Sequence, residues 1–259
     1  MRLAVFPGGA RVRPRLCLAV AGACGDDLPE VTEAAAASIE LLHCASLVHD
    51  DLPCFDDAAL RRGQPTVHQA YGERLAVLAG DALIVLAFET LARGAALAPA
   101  RLTPLLLTVG QAAGSPYGIA AGQAWECEET VVLSDYHRAK TGALFGAATV
   151  AGALAAGADP LAWRALGERL GEAYQVADDI RDVASTVLEL GKPAGRDAEL
   201  GRPNAAHQLG LRAAVQRFQQ LVNAAIASIP GCRGSDMLRE LMLFEANRLV
   251  PQEIVRRAA

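Results

Sequence analysis

Two groups of carboxylates stand 128 residues apart in a chain otherwise rich in small apolar residues. The first is Asp50-Asp51-Leu52-Pro53-Cys54-Phe55-Asp56-Asp57, and the second is Asp178-Asp179-Ile180-Arg181-Asp182. Carboxylates this close repel one another unless a cation or water compensates them, and burying them uncompensated is costly. Their donors are oxygens, with no His or Cys pattern of zinc spacing, which points to a hard ion such as magnesium. Magnesium keeps several waters and is usually bridged to phosphates, so the site suits a phosphorylated ligand. Either cluster alone is equally well read as a solvated acidic helix end. Two clusters together favour one shared site.

Cations stand near both groups. Arg61-Arg62 follow the first within a few residues, Lys140-Thr141 precede the second, and Lys192 follows it, with Arg196 and Arg202 beyond. Arg11 and Arg13 lie near the N-terminus. No GxxxxGK[ST] or GxGxxG loop occurs, so phosphates here are expected on metal and side chains, not in a glycine cradle. The net charge of −5 argues against a nucleic-acid partner. The six cysteines form no CxxC pair and read as reduced thiols of a cytoplasmic protein. The start, Met1 to Pro7, is broken too early by Pro7-Gly8-Gly9 for a secretory segment. No apolar run reaches about 18 residues, so no membrane span is expected; the run nearest to one, residues 75–86, is interrupted by Gly80-Asp81.

The elements that must position these residues read as helices. Ala and Leu abound, aromatics are 5% and the apolar fraction is 52%, which favours helix over sheet. The patterns predict helices over 29–50, 72–93, 102–113, 116–129, 134–157 and 160–190, with two or three more in 203–259 broken at Pro230-Gly231. Pro29 suits a first turn, Ser134 an N-cap, and Gly191 followed by Pro193 a stop. The fold class is all-α, in one domain. Asp178 and Asp182, four apart, share a face of the 160–190 helix. Asp50 and Asp56, six apart around Pro53, do not share a regular face, so the helix is expected to loosen or bulge there. His43, seven residues before Asp50, lies on the same helix face.

With these residues in view, the sequence resembles the trans-isoprenyl diphosphate synthases, or polyprenyl synthetases, most of all bacterial geranylgeranyl diphosphate synthases of the carotenoid type. The resemblance spans nearly the whole chain. It rests on Gly8-Gly9-Ala10-Arg11-Val12-Arg13-Pro14, on His43 through the first aspartate motif to Arg61-Arg62-Gly63, and on Gly80-Asp81, Lys140-Thr141-Gly142, Gln175 through Asp182 and Leu190-Gly191-Lys192. It implies the isoprenoid synthase fold, a helical bundle around a deep cavity, usually as a homodimer. It implies head-to-tail condensation of isopentenyl diphosphate with an allylic diphosphate, with three Mg2+ ions. Asp50 and Asp56 would hold two ions, and Asp178 the third, supported by Asp179 and Asp182. Arg61, Lys140, Thr141, Gln175 and Lys192 would meet the allylic diphosphate, with Lys140, Gln175 and Arg61 closest to the chemistry. Arg13, His43 and Arg62 would form the isopentenyl diphosphate site. The proton is expected to leave with the departing diphosphate, without a dedicated protein base.

Ala45 and Ser46, one turn before Asp50, would line the path of the allylic tail. Farnesyl-producing relatives often carry an aromatic there. Two small residues leave room for a longer tail, so geranylgeranyl diphosphate is expected over farnesyl diphosphate. The bland alternative is tight helix packing by small residues.

The chain departs from the family's pattern at Ala10, where Lys is usual, at Arg202 for Lys and at Asn204 for Thr. The family's helices before Gly8 are also missing from the single domain expected over 1–259. These departures keep a non-catalytic prenyltransferase-like subunit as a second reading. A class I terpene cyclase shares an aspartate-rich helix, but its second metal motif is an Asn/Ser/Glu arrangement, which this chain lacks.

Overall fold

The computed structural model describes residues 1–6, 8–128, 131–184 and 204–258. The elements run α1 (Arg2–Val5), α2 (Val12–Cys24), α3 (Pro29–Asp50), β1 (Leu60–Arg61), β2 (Gln64–Pro65), α4 (Val67–Tyr71), α5 (Glu73–Ala95), α6 (Pro99–Ala113), α7 (Ile119–Trp125) and α8 (Leu133–His137). A π-helical turn, Arg138–Gly142, then leads into α9 (Ala143–Ala155) and α10 (Leu161–Ala184). The chain closes with α11 (Ala205–Leu209), α12 (Leu211–Ala227), α13 (Ser235–Leu249) and α14 (Gln252–Ala258). The all-α class is as expected. Among the described residues the strands are one hairpin pairing Leu60 with Pro65 and Arg61 with Gln64.

The bundle is organised around α9. Ten of its thirteen residues are buried, so it has no solvent face to speak of. Its sequence, ALFGAATVAGALA, explains this: small residues on every side let α2, α3, α6 and α10 approach closely. The main core gathers Leu16, Val20, Ile39, Leu42, Leu105, Phe145 and Leu166 from these helices and Leu91 from α5. A second core joins α10 to α11–α14 through Ile180, Phe218 and Leu249. A third lies under the first aspartate group, where Ala45 and Val48 of α3 meet Val67, Ala76 and Leu83 of α4 and α5.

Several helix bounds differ from the sequence reading. The 102–113 helix starts at Pro99, because a proline at the first helical position is pre-organised for it. The 116–129 helix shrinks to Ile119–Trp125. The 134–157 helix begins one residue earlier, so Ser134 lies inside the first turn and is not its cap. It also contains the π turn, which periodicity alone does not reveal. The C-terminal section holds four helices, since Gly210, at φ 82°, adds a break besides Pro230-Gly231, and Pro251 adds another. Asn204 caps α11, accepting bonds from the backbone of Ala206 (2.9 Å) and His207 (3.1 Å). The predicted stop at Gly191-Lys192 lies outside the described residues.

The α9–α10 seam has no spare room. A Cβ on Gly167 would lie 2.4 Å from Thr149 Oγ1 and 2.5 Å from the Phe145 carbonyl oxygen. Gly167→Ala is therefore expected to destabilise the fold by about 1–3 kcal/mol through overpacking, despite alanine's better helix propensity. Urea midpoints at constant m-value measure this. A variant as stable as wild type would show that the seam relaxes freely.

Candidate active site

The first aspartate group forms where α3 ends. Asp50 closes the helix, and the chain turns back so that the Asp56 N–H donates to the Asp50 carbonyl at 3.0 Å. The expected loosening is thus an outright helix end with a return loop. That loop carries Asp56 alongside Asp50 although six residues separate them. Ligand oxygens of Asp50, Asp56 and Glu126 all lie within 4.8 Å of one another. Asp50 and Asp56 offer oxygens alone, which fits a hard divalent ion, while Glu126 is the carboxylate bonded to Lys140.

Asp51 has a different task. It is buried and accepts from Arg61 Nε at 2.9 Å, with Arg61 Nη2 also donating to it. Burial raises its carboxyl above the ordinary range, and Arg61 opposes that rise. The β1–β2 hairpin carries this guanidinium, which also reaches Asp50 at 3.7 Å. Behind it, buried His68 is pinned by Thr66 Oγ1 at 3.0 Å and Gln69 at 3.1 Å.

The second group sits on the regular part of α10, as expected. Asp178 accepts from Arg181 at 2.7 Å, and Asp182 is buried. Asp179 turns inward. It accepts from Gln175 Nε2 at 3.0 Å and from the Ala205 N–H at 2.7 Å, fastening α10 to α11. Both its oxygens therefore accept from protein donors, which fixes the carboxylate beside Asp178 and Asp182. His137, lowered to about 4 first by burial and then by Lys140, is the neutral neighbour 3.8 Å from Asp179.

One pair of adjacent residues ties the two groups together. Lys140 bonds to Glu126 and reaches Asp50 at 3.8 Å. Thr141 Oγ1 donates to Gln175 Oε1 at 2.7 Å, and Gln175 in turn donates to Asp179. The π turn makes this possible, since its wider backbone presents consecutive side chains to α7 and to α10. Lys192, Arg196 and Arg202 fall outside the described residues.

A cationic pocket adjoins this site. Arg13 is buried, 8% exposed, and packs on the rings of Phe145 (4.6 Å) and Tyr174 (5.6 Å). Its Nε has no hydrogen-bond partner, and among the described residues no carboxylate lies within ion-pair distance of it. Arg62 takes a left-handed φ of 55° and donates to the Gly8 carbonyl at 3.2 Å. His43 is half-buried, and its imidazole is held well below the usual range by desolvation, then by Arg13, Arg62, Arg61 and Arg11. Arg11 itself is committed to Glu40 and to the Val5 carbonyl, so it is a structural tie. Ala45 is buried in the α3–α4–α5 core, while Ser46 is half-buried and donates to the His43 carbonyl at 2.9 Å.

Glu126 is the residue the sequence reading missed. It sits in the run Glu126-Cys127-Glu128, which looks like a solvated helix end. A signal was nonetheless present in Gly122, four residues earlier and so on the same helix face. A Cβ there would lie 2.4 Å from the Lys140 backbone nitrogen, so α7 and the π turn touch backbone to backbone.

The polyprenyl synthetase family model matches residues 1–234. A geranylgeranyl diphosphate synthase of Cereibacter sphaeroides is 56% identical over 98% of this chain and 88% of its own length. One of Rhodobacter capsulatus is 52% identical over 95% and 85%. Among solved structures, a Helicobacter pylori geranyltransferase complexed with magnesium and isoprenyl diphosphate superposes with a TM-score of 0.85, at 32% identity, covering 95% of this chain and 86% of that one.

The cationic pocket gives a pH test. Because His43 is depressed in the folded state, the unfolded chain binds a proton first as pH falls through about 6.5. Its contribution to stability is present above that pH and is lost on acidification. His43→Gln removes the linkage, so the melting temperature of the variant relative to wild type should rise between pH 7 and pH 5. A constant difference would mean that His43 titrates normally.

Proposed function

We propose that this chain, which belongs to the polyprenyl synthetase family, is a prenyltransferase of isoprenoid biosynthesis that condenses isopentenyl diphosphate head-to-tail with an allylic diphosphate to make geranylgeranyl diphosphate. The observation that carries this reading is the convergence of Asp50, Asp56 and Glu126 oxygens beside Arg61 and Lys140. A carboxylate cluster with cations interleaved accommodates metal and diphosphate together, where neither alone would balance the charge.

Asp50 and Asp56 on one wall and Asp178, supported by Asp179 and Asp182, on the other are the residues that would hold Mg2+, three ions by resemblance. Bound there, the ions neutralise the allylic diphosphate as a leaving group. Arg61 and Lys140 add positive charge at the same end, and by resemblance Lys192 does so too. Thr141 and Gln175, already bonded to each other, orient the allylic substrate. The apolar helices around the site exclude water, which would otherwise quench an allylic cation. Arg13, Arg62 and His43 take the diphosphate of isopentenyl diphosphate. Arg13, buried with no carboxylate beside it among the described residues, is the strongest support for an anion arriving there. Ala10, in place of a further cation, leaves that subsite to these three groups. The proton leaves to the departing diphosphate, in keeping with a site whose nearby histidine is neutral.

Three further assignments belong to this reading. The outer faces of α5 and α6 expose Leu75, Leu78, Val85 and Leu107, each at least 55% exposed. By length and composition α3 and α5 could each cross a bilayer, but α3 is a core helix with 67% of its apolar window buried. The exposed face of α5 is instead assigned to a second copy of the chain, as a homodimer. The cysteines, free throughout the described residues, support a cytoplasmic location. The carotenoid branch is assigned by resemblance alone.

Product analysis tests the activity. With magnesium, isopentenyl diphosphate and farnesyl diphosphate the expected product is geranylgeranyl diphosphate, and EDTA should abolish it. No turnover with any allylic primer would favour the non-catalytic reading, and a cyclised hydrocarbon the cyclase. For tail length, Ala45→Phe, checked by thermal melting for an intact fold, should shift the product toward farnesyl diphosphate. Unchanged output from a folded variant would place the length limit elsewhere.

A further inference from the structure

We infer that Glu126 is a positioning residue that acts through Lys140, holding its ammonium off the metal-binding carboxylate of Asp50. The inference rests on the reading of Lys140 as a diphosphate contact and of Asp50 as a metal ligand. α7 grips Lys140 at both ends. Gly122 admits the Lys140 backbone, whose nitrogen would lie 2.4 Å from a Cβ there. One helical turn later, Glu126 Oε1 accepts from Lys140 Nζ. The same oxygen accepts from Tyr136 Oη, and the Tyr136 ring lies 5.8 Å from the ammonium. Glu126 and Tyr136 are both nearly inaccessible, so this clasp operates away from bulk water.

The geometry leaves Lys140 between two carboxylates. Glu126 is the bonded partner, and Asp50, at 3.8 Å, is the next acceptor. Removing the negative charge at 126 leaves the ammonium one strong partner, and it closes on Asp50. An ammonium seated on Asp50 competes with a metal ion for the same oxygens. The diphosphate then loses a cation at its correct place and meets a poorer metal site at once. Residue type supports the same view. Lys140 and Lys192 are the chain's only lysines among 24 basic residues. A compact ammonium can sit between two carboxylates and turn its remaining protons to a third anion, which a planar guanidinium cannot do as well.

A double-mutant cycle with a binding readout tests the inference. Binding of Mn2+ is followed by electron paramagnetic resonance in the presence of farnesyl S-thiolodiphosphate, an analogue that does not ionise readily. Wild type, Glu126→Gln, Lys140→Met and the double variant are compared, with thermal melting as the check on folding. Glu126→Gln is expected to raise the half-saturating Mn2+ concentration by about tenfold, the size of one charge-assisted pair. In the Lys140→Met background the same change should have little further effect. If the penalty persists undiminished there, Glu126 binds metal directly and the inference is overturned. If Glu126→Gln binds Mn2+ like wild type, the inference is equally overturned. Should Lys140→Met alone leave analogue binding untouched, the assignment of the diphosphate site itself fails, a different result from either of these.

Discussion

Everything around the site answers one electrostatic problem: carboxylates held together must not drive the fold apart. Asp50, Asp51, Asp56 and Glu126 come within reach of one another at the end of α3. The chain meets this with two interleaved cations. Arg61 arrives on a hairpin and bonds Asp51, while Lys140 arrives on a π turn and bonds Glu126. Both cations stand beside Asp50, whose ligand oxygen lies within 4.8 Å of those of Asp56 and Glu126.

The scaffold explains why these charges are placed so reproducibly. α9 is buried on nearly all sides, and its small residues fix the distances of α2, α3 and α10 from it. Arg13 on α2, the aspartates at the end of α3 and those on α10 are therefore carried by helices packed on one central element. The links between them are polar and sparse: Lys140 to Asp50, Thr141 to Gln175, Gln175 to Asp179.

Much of this could be read in the residues themselves. The long helices bearing Asp50 and Asp178 announce their periodicity, and the aspartate groups announce their charge. What periodicity cannot reveal is which carboxylate faces which partner. Asp51 and Asp179 look like their neighbours in sequence, yet one is claimed by Arg61 and the other by Gln175 and the backbone of Ala205. Those roles depend on the hairpin and on the entry to α11, elements too short to leave a pattern. Glu126 escaped for a similar reason. It ends a short helix in an acidic run, and only the close approach at Gly122 distinguishes it from a solvated charge.

The π turn at Arg138–Gly142 also acts as a phase shifter. Each residue of an α-helix advances the azimuth by about 100°, and the wider turn resets that advance in a helix otherwise continuous from α8 into α9. Tyr136 and Lys140 thereby address α7 while Phe145, further along, meets the guanidinium of Arg13. The register of the turn therefore sets the relative aim of the two proposed diphosphate subsites. Loss of a single residue there would rotate one against the other while leaving every site side chain in the sequence. In this fold, the spacing between motifs can matter as much as the motifs do.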